Sequence, residues 1–265
     1  MSDRLESLHN DLEAGVASLI DSDAWQNWLT VASKFHRYSF NNQMLILIQC
    51  PNATHVAGYR KWTELGRQVR KGEKSIGILA PNTRKVKDAN TGNEERRIVG
   101  FRAASVFDIS QTDGEELPVE PRPVLLEGNA PDGLWDAIAG IITGNGFTLE
   151  RGDTGAANGW TNFDIKTIRV SDTLTDAQSV KTLIHECAHM MLHNHEEFDY
   201  AKHRGIAEVE AESVAFMVSN VHGLDSGQYT MPYVAGWGKD SKVIADTATR
   251  VIKAARDILK VTNPE

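Results

Sequence analysis

The sequence predicts an α+β fold in two parts: a helical and β-meander N-terminal domain, and a C-terminal domain of long helices with little strand. Three observations carry that prediction. Leu5, Leu8, Leu12, Val16 and Leu19 or Ile20 recur at helical spacing near the start. Between Val56 and Phe107, the short apolar runs SIGILAP, RIVGF and ASVF are separated by the turn signals KGE, APN and NTGN. Pro118, Pro121 and Pro123 then impose an extended, non-helical segment before a series of helical stretches. The expected division is an N-terminal domain over 1–118, a proline-rich linker over 119–123 and a C-terminal domain over 124–265.

Residues 4–33 read as one or two helices, with Ser22 or Asp23 capping a second that carries Trp25, Trp28, Leu29 and Ala32. The polar stretch Tyr38–Gln43 opens the run MLILIQ, and the meander follows. Beyond the linker come a helix over 134–143, a strand over 167–170, and helices over 176–194, 207–222 and 241–260. The second of these stops before Gly223.

The 265 residues are 41% hydrophobic and 24% charged, enough apolar material for real cores and unlike disordered, collagen-like or coiled-coil chains. Apolar runs such as Met44–Ile48 reach only five residues, far from the roughly 20 of a membrane helix. The polar start MSDRLESLHN has no signal-peptide core, so a cytoplasmic protein without a membrane partner is expected. Cys50 and Cys187 are too few for a disulfide framework. The net charge of -8 conceals a split: residues 34–107 carry +9, residues 1–33 carry -5 and the remainder -12. A basic block between acidic ones points to a polyanion-facing N-terminal domain.

His185-Glu186-Cys187-Ala188-His189 is the strongest chemical signal. Thr175 and Gln178 make a capping box ahead of it, and Val180, Ile184, Cys187 and Met191 form an apolar stripe, so the motif sits on a helix. Four residues are slightly more than one turn, so His185 and His189 face the same way and offer two imidazole nitrogens to one Zn²⁺. Glu186 then lies beside the metal as the base that takes a proton from water. Other divalent metals suit the same ligand types.

Such a site wants a third protein ligand. Glu208 begins 19 residues after His189, enough for a turn and an antiparallel return. Glu208 is therefore the expected ligand, with Glu212 one turn later as an acceptor holding a ligand histidine in its tautomer. A shifted register exchanges these roles with Glu210. His195 competes through its metzincin-like spacing, although Leu192 occupies the position where that pattern needs glycine. Tyr233, or Tyr229, is a candidate to stabilise an oxyanion. The strand Thr167–Val170 is expected to be an edge that pairs with an extended peptide.

In the basic block, Arg60, Lys61, Arg67, Arg70, Lys71 and Lys74 interleave with Tyr59 and Trp62. Cations suit backbone phosphates and flat rings suit unstacked bases, so this composition fits single-stranded nucleic acid read without base specificity. The competing readings are a buried Trp62 and a merely solvated charge run.

The stretch YSFNNQMLILIQCPNATHVAGYRKWTELGRQVRKGEKSIGILAP, followed by VFDISQTDGEELP, resembles the N-terminal single-stranded-DNA-binding domain of ArdC-type antirestriction proteins. HECAHMMLH, EVEAESVAF and YVAGW resemble the zinc-metallopeptidase-like domain fused to it. The resemblance implies a plasmid or phage protein that binds incoming single-stranded DNA and counters host restriction. It places Tyr38, Asn42, Trp62, Arg70, Lys71 and Gly72 in DNA-domain motifs and His185, Glu186, His189 and Glu208 on a zinc motif. It also implies a zincin-like, gluzincin-type C-terminal fold. Two other readings accompany it: an active zinc endopeptidase recruited to DNA-bound repressors or other proteins, and a DNA-coating or DNA-mimicking module, occupying restriction enzymes, in which zinc is structural.

Overall fold

The computed structural model describes residues 3–19, 21–87, 94–117, 129–193, 200–224 and 240–264. In chain order the elements are α1 (Asp3–Ser18), α2 (Ser22–Lys34), α3 (Phe40–Gln49), β1 (Val56–Ala57), α4 (Tyr59–Glu64), β2 (Arg67–Val69), β3 (Ile76–Lys87), β4 (Glu94–Asp108) and β5 (Thr112–Gly114). Then follow α5 (Leu134–Gly144), β6 (Thr148–Gly152), β7 (Gly159–Asn162), β8 (Thr167–Ser171), α6 (Asp176–Leu192), α7 (Tyr200–Val221) and α8 (Ser241–Thr262). Among the described residues no helix is long and apolar enough to cross a membrane.

Two compact units emerge. The first comprises residues 1–16 and 41–118, the second residues 17–40 and 119–265. The boundary thus differs from a single cut at the prolines, which themselves lie outside the described residues. The reason is α2. Asp21, rather than Ser22 or Asp23, caps it by accepting from the Asp23 N–H at 3.2 Å. Trp25 and Trp28 are wholly buried, and Trp25 Nε1 donates to Ser213 Oγ of α7 at 2.9 Å. Burial of two tryptophans ties this helix to the C-terminal unit.

In the first unit, β3 and β4 form a long antiparallel ribbon, β1 pairs the far end of β4, and β2 pairs β5 separately. The expected meander is accordingly revised. RIVGF and ASVF belong to the single strand β4, and APN is no turn, since Pro81 sits opposite Phe101 inside the ribbon. Val99 is a bulge: Gly100 faces Asn82 while Ile98 faces Thr83. The NTGN turn lies outside the described residues. Tyr59–Glu64 is a helical turn and a half, and the polar lead-in to MLILIQ is the first turn of α3. Met44, Leu45 and Ile46 of α3, Leu8 and Leu12 of α1, and Ile76, Ile78 and Val106 form the core here.

In the second unit a three-stranded sheet runs β6-β8-β7, with β6 and β8 parallel and β7 antiparallel. Ile168 and Val170 of the central β8 are completely buried. Helix α6 packs on the sheet and is flanked by α5, α7 and α8. Its cap is Thr175, whose hydroxyl accepts from the Gln178 N–H. Leu183, Ile184 and Cys187 of α6, Val209, Val214 and Met217 of α7 and Ile244, Val251 and Ile258 of α8 are all fully buried where these three helices pack.

Candidate functional site

Helix α6 presents His185 and His189 one turn apart, and α7 runs beside it to bring Glu208 opposite. His185 Nε2 lies 3.0 Å from His189 Nε2, and Glu208 Oε2 lies 3.6 Å from the former and 3.8 Å from the latter. An ion bonded to N and O ligands at about 2.0–2.1 Å in tetrahedral geometry sets its ligand atoms about 3.4 Å apart, so this triangle has the size for one divalent cation.

The other ring nitrogens explain the orientation. His185 Nδ1 is 3.0 Å from Glu212 Oε2, an acceptor that leaves the Nε2 lone pair facing the triangle. His189 Nδ1 is 2.9 Å from His193 Nδ1. Two imidazole lone pairs and a carboxylate aimed at one point repel one another unless a cation or a proton stands between them. With a proton there, burial works against the charge on His185, but Glu208 and Glu212 outweigh it and push the group up to about 10. His185 and Glu208 are partly exposed, at 20% and 35% of their side chains, which leaves an approach for a further ligand.

Glu186, buried at 6% exposure, is directed to the sheet side, where Thr161 Oγ1 of β7 donates to its Oε2 at 2.7 Å. The contact depends on Gly159. A Cβ there would lie 2.7 Å from Thr182 Cγ2 and 3.2 Å from Glu186 Cγ, so β7 lies against α6 more closely than a side chain permits. Burial pushes the Cys187 thiol up to about 12, which leaves it inert.

The three glutamates of α7 occupy three different places. Glu208 faces both Nε2 atoms, Glu212 faces His185 Nδ1, and Glu210 is fully buried against His193 and Arg250. Burial holds His193 below the ordinary imidazole range, although Glu210 works in the other direction. His193 went unread in the sequence, yet its signal was there: His185, His189 and His193 recur every fourth residue on one helical face. His195, Tyr229 and Tyr233 lie outside the described residues. Thr167–Val170 is not an edge, because β8 is paired on both sides; among the described residues β7 is an edge strand, and it packs on α6.

The expected DNA-contacting residues separate into groups. Trp62 is 1% exposed and donates from Nε1 to the Phe107 carbonyl, so its face is not available for stacking. Asn42 is buried, with its amide bonded to the Leu79 backbone. Arg67 donates to Thr112 and to the carbonyls of Gly114 and Glu115, and Arg70 to Glu73, Asp113 and the Ser110 carbonyl; these guanidiniums brace the β2–β5 pair and the turn after it. Lys61 pairs with Glu64. Tyr38 is half-buried in the second unit, edge-on to Phe35. Tyr59, at 54% exposure, and Arg60, Lys71 and Lys74 are on the surface.

The β3–β4 ribbon holds cations that the reading of residues 59–74 passed over. Arg84, Lys85, Arg97 and Arg102 are exposed, as are Ile98, Val99 and Phe101. Arg84 stands directly opposite Arg97, and Lys85 opposite Arg96.

Residues 3–107 match the family described as the N-terminal domain of anti-restriction factor ArdC. An uncharacterized protein of Bacillus anthracis is 25% identical over 260 residues, covering 83% of this chain; the chain spans 44% of that relative's length. Among solved structures, the Mn(II)-bound antirestriction ArdC protein of plasmid R388 aligns with a TM-score of 0.62 at 22% identity, over 96% of this chain and 98% of that one. Its metal-free form aligns with a TM-score of 0.56 at 23% identity, over 84% of each chain. Residues 3–107 thus carry the ArdC N-terminal domain, and the chain shares the mixed helix-and-sheet fold of the R388 protein.

Proposed function

We propose that this chain protects incoming DNA against restriction by binding it in single-stranded form, and that its C-terminal unit is a zincin-like, metal-dependent peptidase centre. The observation carrying the second half is the convergence of His185 Nε2, His189 Nε2 and Glu208 Oε2 beside Glu186. These three atoms hold the metal. Zinc suits a set of two imidazoles and a carboxylate, and the Mn(II) in the R388 protein favours a site that accepts other divalent ions too. A divalent cation there supplies Lewis acidity to a carbonyl and to water.

The remaining work falls to the protein's own groups. Glu186 takes a proton from the attacking water and returns it to the leaving amine. Thr161 holds the Oε2 of that carboxylate in place by its hydroxyl. The edge of β7, running past Glu186, aligns an extended peptide by strand addition. Tyr233 remains the proposed oxyanion donor.

For the first half, support comes from the basic N-terminal block and the ribbon. Arg84, Lys85, Arg97 and Arg102, all exposed, give the ribbon a cationic surface of the kind that meets phosphates. Phe101, 53% exposed, and Tyr59 offer rings for unstacked bases. Arg60, Lys71 and Lys74 extend the cationic surface.

The test is a restriction-protection assay run with anisotropy titration of a labelled single-stranded oligonucleotide and duplex competitor. Glu186→Gln should keep DNA affinity. Loss of protection in that variant supports the peptidase centre, whereas full protection with intact binding supports DNA coating alone. Absence of single-strand binding by the wild-type chain would overturn the DNA reading.

A further inference from the structure

A chain of buried polar contacts runs from the candidate metal centre to a third helix. His189 Nδ1 meets His193 Nδ1 at 2.9 Å, His193 Nε2 meets Glu210 Oε2 at 2.9 Å, and the Arg250 guanidinium of α8 donates to Glu210 Oε1 from Nε at 2.8 Å and again from Nη2. His193 and Glu210 have side chains at 0% exposure, while Arg250 reaches in from a half-exposed position at 45%.

The direction of these hydrogen bonds is determined from the far end. Glu210 Oε1 accepts from Arg250, so its carboxylate is held in the acceptor role, and the proton shared with His193 belongs to Nε2–H. A neutral His193 then has an acceptor at Nδ1, and His189 must donate to it from Nδ1–H. That leaves the only lone pair of His189 on Nε2, the atom facing His185 and Glu208. A reversed His193 would place two acceptors together at Glu210, and its Nδ1–H would make His189 Nδ1 the acceptor and put the His189 proton on Nε2, the atom that faces the triangle.

We propose that His193, Glu210 and Arg250 are positioning residues that fix His189 in its metal-binding tautomer and rotamer from outside the ligand set. The proposal rests on the metal-centre reading above. The isolated chemistry of each group is ordinary; what matters is the order. Glu212 does for His185 with one carboxylate what His193 does for His189 with an imidazole backed by a carboxylate and a guanidinium. A buried carboxylate requires such a partner, since an unpaired buried charge is costly. Substituting outer partners of ligand histidines commonly weakens metal binding about 10- to 100-fold.

The test measures the Mn(II) dissociation constant of the full metal-free chain by chelator competition, together with the visible spectrum of its Co(II) form. His193→Phe should weaken Mn(II) about 10- to 100-fold and shift the Co(II) bands. His193→Gln should restore affinity to within about threefold, because its carbonyl accepts from His189 and its amide donates to Glu210. Arg250→Gln, altering a half-exposed group, gives a fold-preserving second readout with several-fold weaker binding expected. A merely structural role lowers thermal stability and leaves the folded protein's dissociation constant and spectrum unchanged; that result in His193→Phe, or in Arg250→Gln if the former does not fold, overturns the relay. A wild-type chain that binds neither ion overturns the metal centre itself and the relay with it.

Discussion

The side-chain amide of Asn42 grips the backbone of Leu79 from both sides, its Nδ2 donating to the carbonyl at 2.9 Å and its Oδ1 accepting from the N–H at 2.8 Å. Gln49, two turns further along α3, does the same at Gly77, at 2.8 Å in each direction. Between them the two amides satisfy backbone groups on the edge of β3 that faces away from β4. Asn42→Ala is therefore expected to lower stability by about 1–3 kcal/mol, through the stranded backbone groups, with unchanged single-strand affinity in the folded protein. Urea unfolding paired with anisotropy distinguishes this from a DNA-contacting role.

The ribbon makes the opposite prediction. Arg84→Ala with Arg97→Ala should leave unfolding midpoints close to those of wild type, since both side chains are exposed. Single-strand affinity should fall, and the slope of log affinity against log salt should flatten by about 1.4 if each side chain meets one phosphate. Tyr59→Ala should reduce affinity with little change in that slope, as loss of stacking does.

How far the sequence revealed these features depends on what periodicity encodes. The HExxH helix was legible because Thr175 and its apolar stripe mark a helix start and a buried face. The ribbon was not: RKVK and EERR are charged at nearly every position, so no alternation of apolar and polar residues announces a strand there. Strand β7, within the polar stretch 158–164, is likewise hidden, and its placement depends on Gly159 fitting against α6. Tyr59 and Trp62 share one short helix, and composition alone says nothing about which ring turns outward. The attachment of α2 to α7 is a tertiary choice made by Trp25 and Trp28 across a long sequence separation.

Acid should act on the first unit through Asp108. Burial is the largest influence and raises its pKa, but hydrogen bonds from Ser110, Thr54 and His55 together hold the carboxyl below its ordinary value. The bonds from the Thr54 and His55 N–H groups are 2.8 and 3.0 Å, and that from Ser110 is 2.9 Å. A folded-state value below the unfolded one means that this stability is fully present above the unfolded value, about 3.9, and is lost as pH falls through the folded one. Asp108→Asn should be less stable at neutral pH and should show a shallower decline below about pH 4 in thermal melts.

Gly159→Val should separate β7 from α6. The new side chain meets Thr182 and Glu186, so a drop in stability of about 1–3 kcal/mol is expected from overpacking. Thr161→Val keeps the shape and removes only the hydroxyl donor to Glu186, so its metal affinity should equal that of wild type while any Glu186-dependent turnover declines. Calorimetry on Gly159→Val, and chelator competition beside a turnover assay on Thr161→Val, check both statements.

Titration of the metal-free chain with Zn(II) and Mn(II) in a calorimeter, beside a His185→Ala, His189→Ala, Glu208→Ala triple variant, tests the candidate centre most directly. One ion per chain is expected for wild type and none at comparable affinity for the variant. Equal binding by both proteins, or none by either, would contradict the assignment of these three side chains as a metal site.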